Sequence, residues 1–186
     1  DATVYQLLMS VVSEKSAELP LNAGKKRLYY ISAEFLIGKL LTNNLINLGL
    51  YDEAKRQLAE AGHDLNKVEE NEVEPSLGNG GLAACFIDSM ATLGLPGDGV
   101  GLNYHFGLFH QKFVDNQQTT MPDGWLDREG WLRDENTSFT VEFGSFSVTS
   151  KLFSIDVLGY ERPKKNRLRL FDLESIDDSL VPNNSI

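Results

Sequence analysis

Apolar residues fall three and four apart over residues 4–18. Val4, Leu7, Leu8, Val11 and Val12 share one side of a 3.6-residue period, which predicts an amphipathic helix. Pro20, Asn22 and Gly24 break that pattern. Residues 28–32, Leu-Tyr-Tyr-Ile-Ser, are aromatic and β-branched and read as a buried strand. Helical spacing returns over residues 36–50 through Leu40, Leu41, Leu45, Ile46 and Leu48. A further amphipathic helix spans about 52–61 and is ended by Gly62. An apolar helix over residues 83–93 is stopped by Gly94 and Pro96. Val100, Leu102 and Tyr104 then alternate as a strand does.

Beyond residue 107 alternation dominates. Leu108, His110, Lys112 and Val114 suggest one strand, Phe139, Val141 and Phe143 another, and residues 146–155 and 168–173 two more. Pro122, Asp123, Gly124 and Trp125 read as a turn. The expected organisation is one α/β unit, with residues 1–106 carrying a glycine loop and residues 107–186 forming a β-rich elaboration. No linker, repeat or low-complexity tract separates the halves.

Composition narrows the partners. Of 186 residues, 27 are acidic and 17 basic, giving a net charge of −10. Such a surface repels nucleic acid and is indifferent to a neutral sugar polymer. The single cysteine, Cys85, excludes an internal disulfide and a CxxC zinc pair, and fits a reducing, cytoplasmic setting. No apolar run approaches the roughly 18 residues of a membrane helix, and the first residues lack the order of a signal peptide. Neither a metal nor a membrane partner is expected. Both ends, Asp1 and Ile186, read as cuts within a longer chain.

The most informative local feature is the run Leu77-Gly78-Asn79-Gly80-Gly81-Leu82 ahead of an apolar helix. Glycine lets backbone approach a ligand closely, and the helix behind it offers unpaired N–H groups and a positive dipole end. That suits a phosphate, or a sugar hydroxyl beside one. A plain tight turn feeding a helix fits the spacing equally well. Gly78, Gly80 and Ala83 also match a dinucleotide fingerprint, but the residues before them are Glu69, Glu70, Glu72 and Glu74 rather than a hydrophobic strand.

Glu34, between a strand and a helix, reads either as a catalytic carboxylate or as a buried ion-pair partner for Lys39 or for an arginine elsewhere. The residues alone favour the ion pair. The acidic cluster at 69–74 reads as a solvated face, since it lacks the spacing of a calcium loop. His63, His105 and His110 form no metal-binding pattern, and no nucleophile motif is present. Trp125 and Trp131 could stack on sugar rings, but core packing is the favoured role.

Beyond these readings, the chain resembles the α-glucan phosphorylase family. The resemblance rests on residues 29–40 (Tyr-Tyr-Ile-Ser-Ala-Glu-Phe-Leu-Ile-Gly-Lys-Leu) and 41–49, the glycine loop at 77–82, the helix at 83–94, residues 99–109 with Gln111, and the segments 155–160 and 168–172. It covers nearly the whole chain in order. The resemblance implies part of a Rossmann-like N-terminal domain of a two-domain, GT-B type glycosyltransferase, with a β-rich second half and the catalytic C-terminal domain absent. It implies transfer of the terminal α-1,4-linked glucosyl unit of a glucan to inorganic phosphate, giving glucose 1-phosphate. It further implies pyridoxal 5′-phosphate on a lysine outside this segment, and a homodimer when the chain is full length.

By the same resemblance, Gly80, Gly81 and Leu82 would present amides to glucose and phosphate, with Asn79 fixing the loop. Glu34 and Lys39 would lie near the cofactor, and Leu36 replaces the tyrosine of animal members. No catalytic residue is expected in the segment, which alone should be inactive. An alternative is a non-catalytic carbohydrate-binding or interaction module derived from this domain. A third is a nucleotide-binding protein.

One departure stands out. The family reads Gly-Leu-Gly-Arg-Leu-Ala-Ala-Cys-Phe where this chain runs from Gly81 and Leu82 straight into Ala83, Ala84, Cys85 and Phe86. Losing three residues at a helix start turns the remainder by about 60° and shortens it by roughly 4.5 Å. That would displace the loop against its helix and impair the site. The close match of the helix favours three residues missing from the sequence over a changed site.

Overall fold

A computed structural model describes residues 1–125 and 130–175. Helix α1 (Ala2–Glu18) is followed by β1 (Leu28–Ile31), then by α2 (Leu41–Asn47), α3 (Tyr51–Glu60) and α4 (Leu65–Glu69). The glycine loop leads into α5 (Gly81–Thr92) and β2 (Gly97–Leu102). A hairpin, β3 (His110–Val114) and β4 (Gln117–Met121), precedes the long strands β5 (Arg133–Phe143), β6 (Phe146–Leu158) and β7 (Lys165–Ser175).

The architecture is mixed α/β. One five-stranded sheet runs β1-β2-β7-β6-β5, and the hairpin stands apart from it. Strands β1, β2 and β7 are parallel, whereas β6 and β5 continue the sheet antiparallel. The β-rich half is therefore joined to the first half: Asp98 to Leu102 pair with Arg167 to Phe171. The last predicted β-rich residues, 176–186, lie outside the described residues.

Two apolar clusters hold these layers. Phe35, Leu77, Ile87, Met90, Leu168 and Leu170 fill the space between the sheet and α5. Tyr5, Met9, Val12, Leu41, Leu45 and Val68 knit the helices together. Trp131 touches both clusters and Trp125 is buried in the first, so both tryptophans serve packing. Burial of this kind contributes roughly 25 cal/mol per Å² of apolar surface removed from water.

Several expectations are corrected. β1 is an edge strand, not a buried one: Leu28, Tyr29 and Ile31 are exposed. The helix expected over 36–50 begins only at Leu41, because Gly38 takes a positive φ of 67° and residues 36–40 follow an irregular path. In β2 the glycines face the core. Phe35 lies so close over Gly101 that a Cβ there would come within 2.7 Å of its ring, and Leu102 points outward at 51% exposure. The alternation of Val100 and Leu102 therefore marked the opposite face.

Buried charges tie the layers together. The Lys165 ammonium donates to the Ser16 carbonyl at 2.7 Å and meets the Asp156 carboxylate at 2.8 Å, closing the C-terminal end of α1 onto the sheet. Asp98, buried on β2, binds both Arg27 at 2.7 Å and Arg169 at 3.1 Å. Pairing each buried carboxylate with more than one cation offsets its desolvation.

Candidate functional site at the carboxyl edge of the parallel strands

The chain leaves β1, β2 and β7 at the same edge of the sheet, where open α/β proteins place their ligands. After β1 come Ser32 and Glu34, after β2 come Asn103 and His105, and Asp172 lies just past the pairing of β2 with β7.

The glycine loop sits against this edge. The Phe35 amide donates to the Leu77 carbonyl at 2.8 Å and the Leu36 amide to the Gly80 carbonyl at 3.0 Å. Backbone pairing thus fixes the loop, and Asn79 stands exposed at its tip. Ser32 Oγ donates to the Glu34 carbonyl at 2.9 Å, shaping the turn that presents Glu34.

The glycines divide into two kinds. A Cβ on Gly78, whose φ is +90°, would fall 2.5 Å from Glu34 Cγ, and one on Gly80 would fall 3.0 Å from Glu34 Oε2. For these two, the close approach is to Glu34 rather than to a ligand. A Cβ on Gly81 would meet nothing within 4 Å, so that face is open.

Helix α5 begins at Gly81, two residues earlier than predicted, with Gly80 as its N-cap and no capping side chain. The chain runs without interruption from Leu82 into Ala83. Gly81 and Leu82 lie in the first helical turn of α5. The amides of Gly81, Leu82 and Ala83 have no intrahelical acceptor, and they carry much of a dipole end worth about half a positive charge. Leu82 is 67% exposed.

Glu34 is half-buried and makes no ion pair with Lys39. The Lys39 ammonium donates instead to the Glu69 carbonyl at 3.2 Å. The acidic cluster likewise differs from a plain solvated face. Glu72 is buried; its carboxylate accepts from the Leu40 amide at 2.7 Å, the Leu41 amide at 3.2 Å and the Trp131 indole at 2.6 Å. Glu72 thereby caps α2 from 31 and 32 residues away in sequence, a role that local spacing could not reveal.

Beside the loop lies a cleft of about 610 Å³ whose lining includes Leu36, Lys39, Glu70, Glu74, Gly78 and Asp123. Among these residues carboxylates outnumber the one ammonium, which disfavours a phosphate there and suits a neutral, hydroxyl-bearing ligand. Next to this cleft, the N-terminus of α5 favours an anion. Among the described residues no group of three or more potential metal ligands occurs, and no helix is long and apolar enough to cross a membrane.

Of the histidines, His63 meets Asp1 at the surface (3.2 Å) and His110 is exposed on β3. His105 is different: its Nδ1 lies 3.1 Å from Asp172 Oδ2 at the sheet edge. The alternation pattern gave no sign of that partnership, since the two residues are far apart in sequence.

Comparison with known proteins identifies the family. Residues 58–183 match the family described as Carbohydrate phosphorylase. Maltodextrin phosphorylase of Streptococcus pneumoniae is 61% identical over 181 residues, covering 96% of this chain and 24% of that protein. Glycogen phosphorylase of Haemophilus influenzae is 50% identical over 166 residues, 78% of this chain and 20% of that protein. The human brain form of glycogen phosphorylase is 49% identical over 173 residues, 82% and 20% respectively. The chain spans about a quarter or less of the length of these curated relatives. With the family match extending over most of its length, this chain belongs to the carbohydrate phosphorylases.

Proposed function

We propose that this chain is the N-terminal part of a bacterial α-glucan phosphorylase and forms one wall of its cleft, as part of a Rossmann-like domain in a two-domain, GT-B arrangement. The full-length enzyme would transfer the terminal α-1,4-linked glucosyl unit of glycogen or maltodextrin to inorganic phosphate, releasing glucose 1-phosphate. The observation that carries this reading is the uncapped, open N-terminus of α5 at the carboxyl edge of the parallel strands, beside a cleft suited to sugar hydroxyls.

In that role the amides of Gly81, Leu82 and Ala83 would orient the sugar and phosphate. They would stabilise negative charge as it develops, an effect that grows when the second domain excludes water. Glu34 would hold the loop in place from beneath. Pyridoxal 5′-phosphate would supply the proton-relaying phosphate in the complete enzyme. Lys39 donates to the Glu69 carbonyl and is flanked by carboxylates, which supports leaving the main grip on the cofactor's phosphate to the remainder of the enzyme. The full-length protein is proposed to be a cytoplasmic homodimer, and this segment to be inactive alone.

The test is phosphorolysis of maltodextrin by the full-length protein, with and without pyridoxal phosphate, read as glucose 1-phosphate released. Release only with the cofactor, and none from residues 1–186 alone, is the expected result. Release by residues 1–186 alone overturns the assignment of one wall, and no release from the cofactor-loaded full-length protein overturns the reaction.

A further inference from the structure

The pairing of His105 with Asp172 is not used by the amide-based role above, and it has the construction of a binding site. Asp172 is buried on β7 and its carboxylate is fully engaged. Oδ2 accepts from Asn103 Nδ2 at 3.1 Å and faces His105 Nδ1 at 3.1 Å, and Oδ1 accepts from the Leu173 amide at 2.8 Å. A carboxylate is only an acceptor, so it fixes a proton on Nδ1, and in the neutral imidazole Nε2 is then the acceptor. The His105 side chain is 53% exposed, and Phe106 packs edge-on against its ring at 4.9 Å.

The loop carrying His105 is held on three sides. Tyr104 Oη donates to the Ala33 carbonyl at 2.9 Å, next to Glu34. Trp125 Nε1 donates to the Tyr104 carbonyl at 2.6 Å. The Asp123 amide donates to the Phe106 carbonyl at 2.8 Å. A half-exposed imidazole fixed by this much structure is not a loose surface residue.

A second observation concerns the neighbour on the same carboxylate. Asn103 is 6% exposed, and its Oδ1 is buried with no hydrogen-bond partner, although its amide nitrogen is satisfied by Asp172. Buried acceptors are rarely left unpaired. An accessible acceptor, His105 Nε2, and a buried one, Asn103 Oδ1, therefore adjoin one carboxylate. That combination calls for a donor. It repels a phosphate, and it provides too few ligands for a structural metal.

We infer that His105, oriented by Asp172, is a sugar-hydroxyl-binding residue at the carboxyl edge of the sheet. The ligand class is a neutral α-1,4-linked glucose oligomer whose hydroxyl donates to Nε2. The inference rests on the glucan-phosphorylase reading and adds a specific contact to it.

The test uses the full-length enzyme with maltopentaose as the probe. Binding is measured by calorimetry for the wild type, His105→Ala, His105→Gln and Asp172→Asn, alongside the ¹⁵N signals of the His105 ring. The wild-type ring should carry its proton on Nδ1, and its Nε2 signal should move when maltopentaose is added. His105→Ala should weaken binding about tenfold, the loss of roughly one hydrogen bond. His105→Gln should recover most of that loss, and Asp172→Asn should fall between. Wild-type affinity in His105→Ala, or a ring protonated on Nε2 and unmoved by the sugar, overturns the inference while leaving the phosphorylase reading intact. A wild-type enzyme that binds no maltopentaose overturns both, and that outcome is recognised because the unaltered protein itself fails.

Discussion

Gly78 lies under Glu34 so tightly that a single added carbon would sit 2.5 Å from the glutamate's Cγ and 2.7 Å from its Cβ. The contact explains why a glycine stands at this turn, and it joins the strand-exit motif to the glycine loop as one unit. Gly78→Ala must both strain a backbone at φ +90° and displace Glu34. The expected cost is about 2–4 kcal/mol, measured by urea denaturation of the full-length enzyme. A variant as stable as the wild type would refute the tight packing described here.

Gly81 makes the opposite case. Nothing lies within 4 Å of where its Cβ would be, and the residue is already helical. Gly81→Ala should leave stability unchanged or raise it by up to about 1 kcal/mol. Because the methyl would project from the open end of α5, phosphorolysis should fall by roughly 10- to 100-fold. Glucose 1-phosphate release and the melting temperature, measured on the same preparation, separate the two effects. Undiminished activity would remove the helix end from the proposed site.

Glu72 holds two backbone amides and one indole in a buried position. Glu72→Ala leaves two buried amides and one half-buried indole without their acceptor and should destabilise by about 2–4 kcal/mol. Glu72→Gln keeps an acceptor oxygen and should lose less. Chemical denaturation followed by tryptophan fluorescence checks both variants and also reports directly on Trp131. Equal stability of the alanine and glutamine variants would contradict this account.

Asp134 provides a pH dependence. The Lys151 ammonium, 2.7 Å away, and the Asn136 amide at 2.8 Å hold its carboxyl below the usual value. A group depressed in the folded state contributes stability that is complete above its unfolded pKa of about 4 and is lost as pH falls through the lower, folded value. The wild type should therefore lose its advantage over Asp134→Asn on acidification through that window. Both carboxylate and ammonium are solvent-accessible, so added salt should shrink the effect. Denaturation midpoints for the two proteins across pH 2–7 would reveal it, and a constant difference would exclude it.

The helices α1, α3 and α5 and the strands β6 and β7 were legible in the linear pattern. In each, runs of like residues return at the period of the element they form. The hairpin partner β4 was not legible, because Gln117, Gln118, Thr119 and Thr120 carry no apolar alternation and are exposed. β2 was read on the wrong face, because its core-facing positions are glycines whose apolar partners, Phe35 and Met90, are supplied from elsewhere in the chain.

The glycine loop and its helix were visible as a candidate ligand contact, and the long motifs around them carried the family. Local order therefore determined which segments become helices or strands, and where backbone can be exposed to a ligand. Folding alone decided that Gly78 and Gly80 accommodate Glu34 while Gly81 stays open, that Glu72 caps a distant helix, and that Asp172 reaches His105 across two strands. These relationships join residues through space at separations where sequence spacing carries no geometric information. Hydrogen bonding and close packing act over a few ångströms, whatever number of residues lies between the partners.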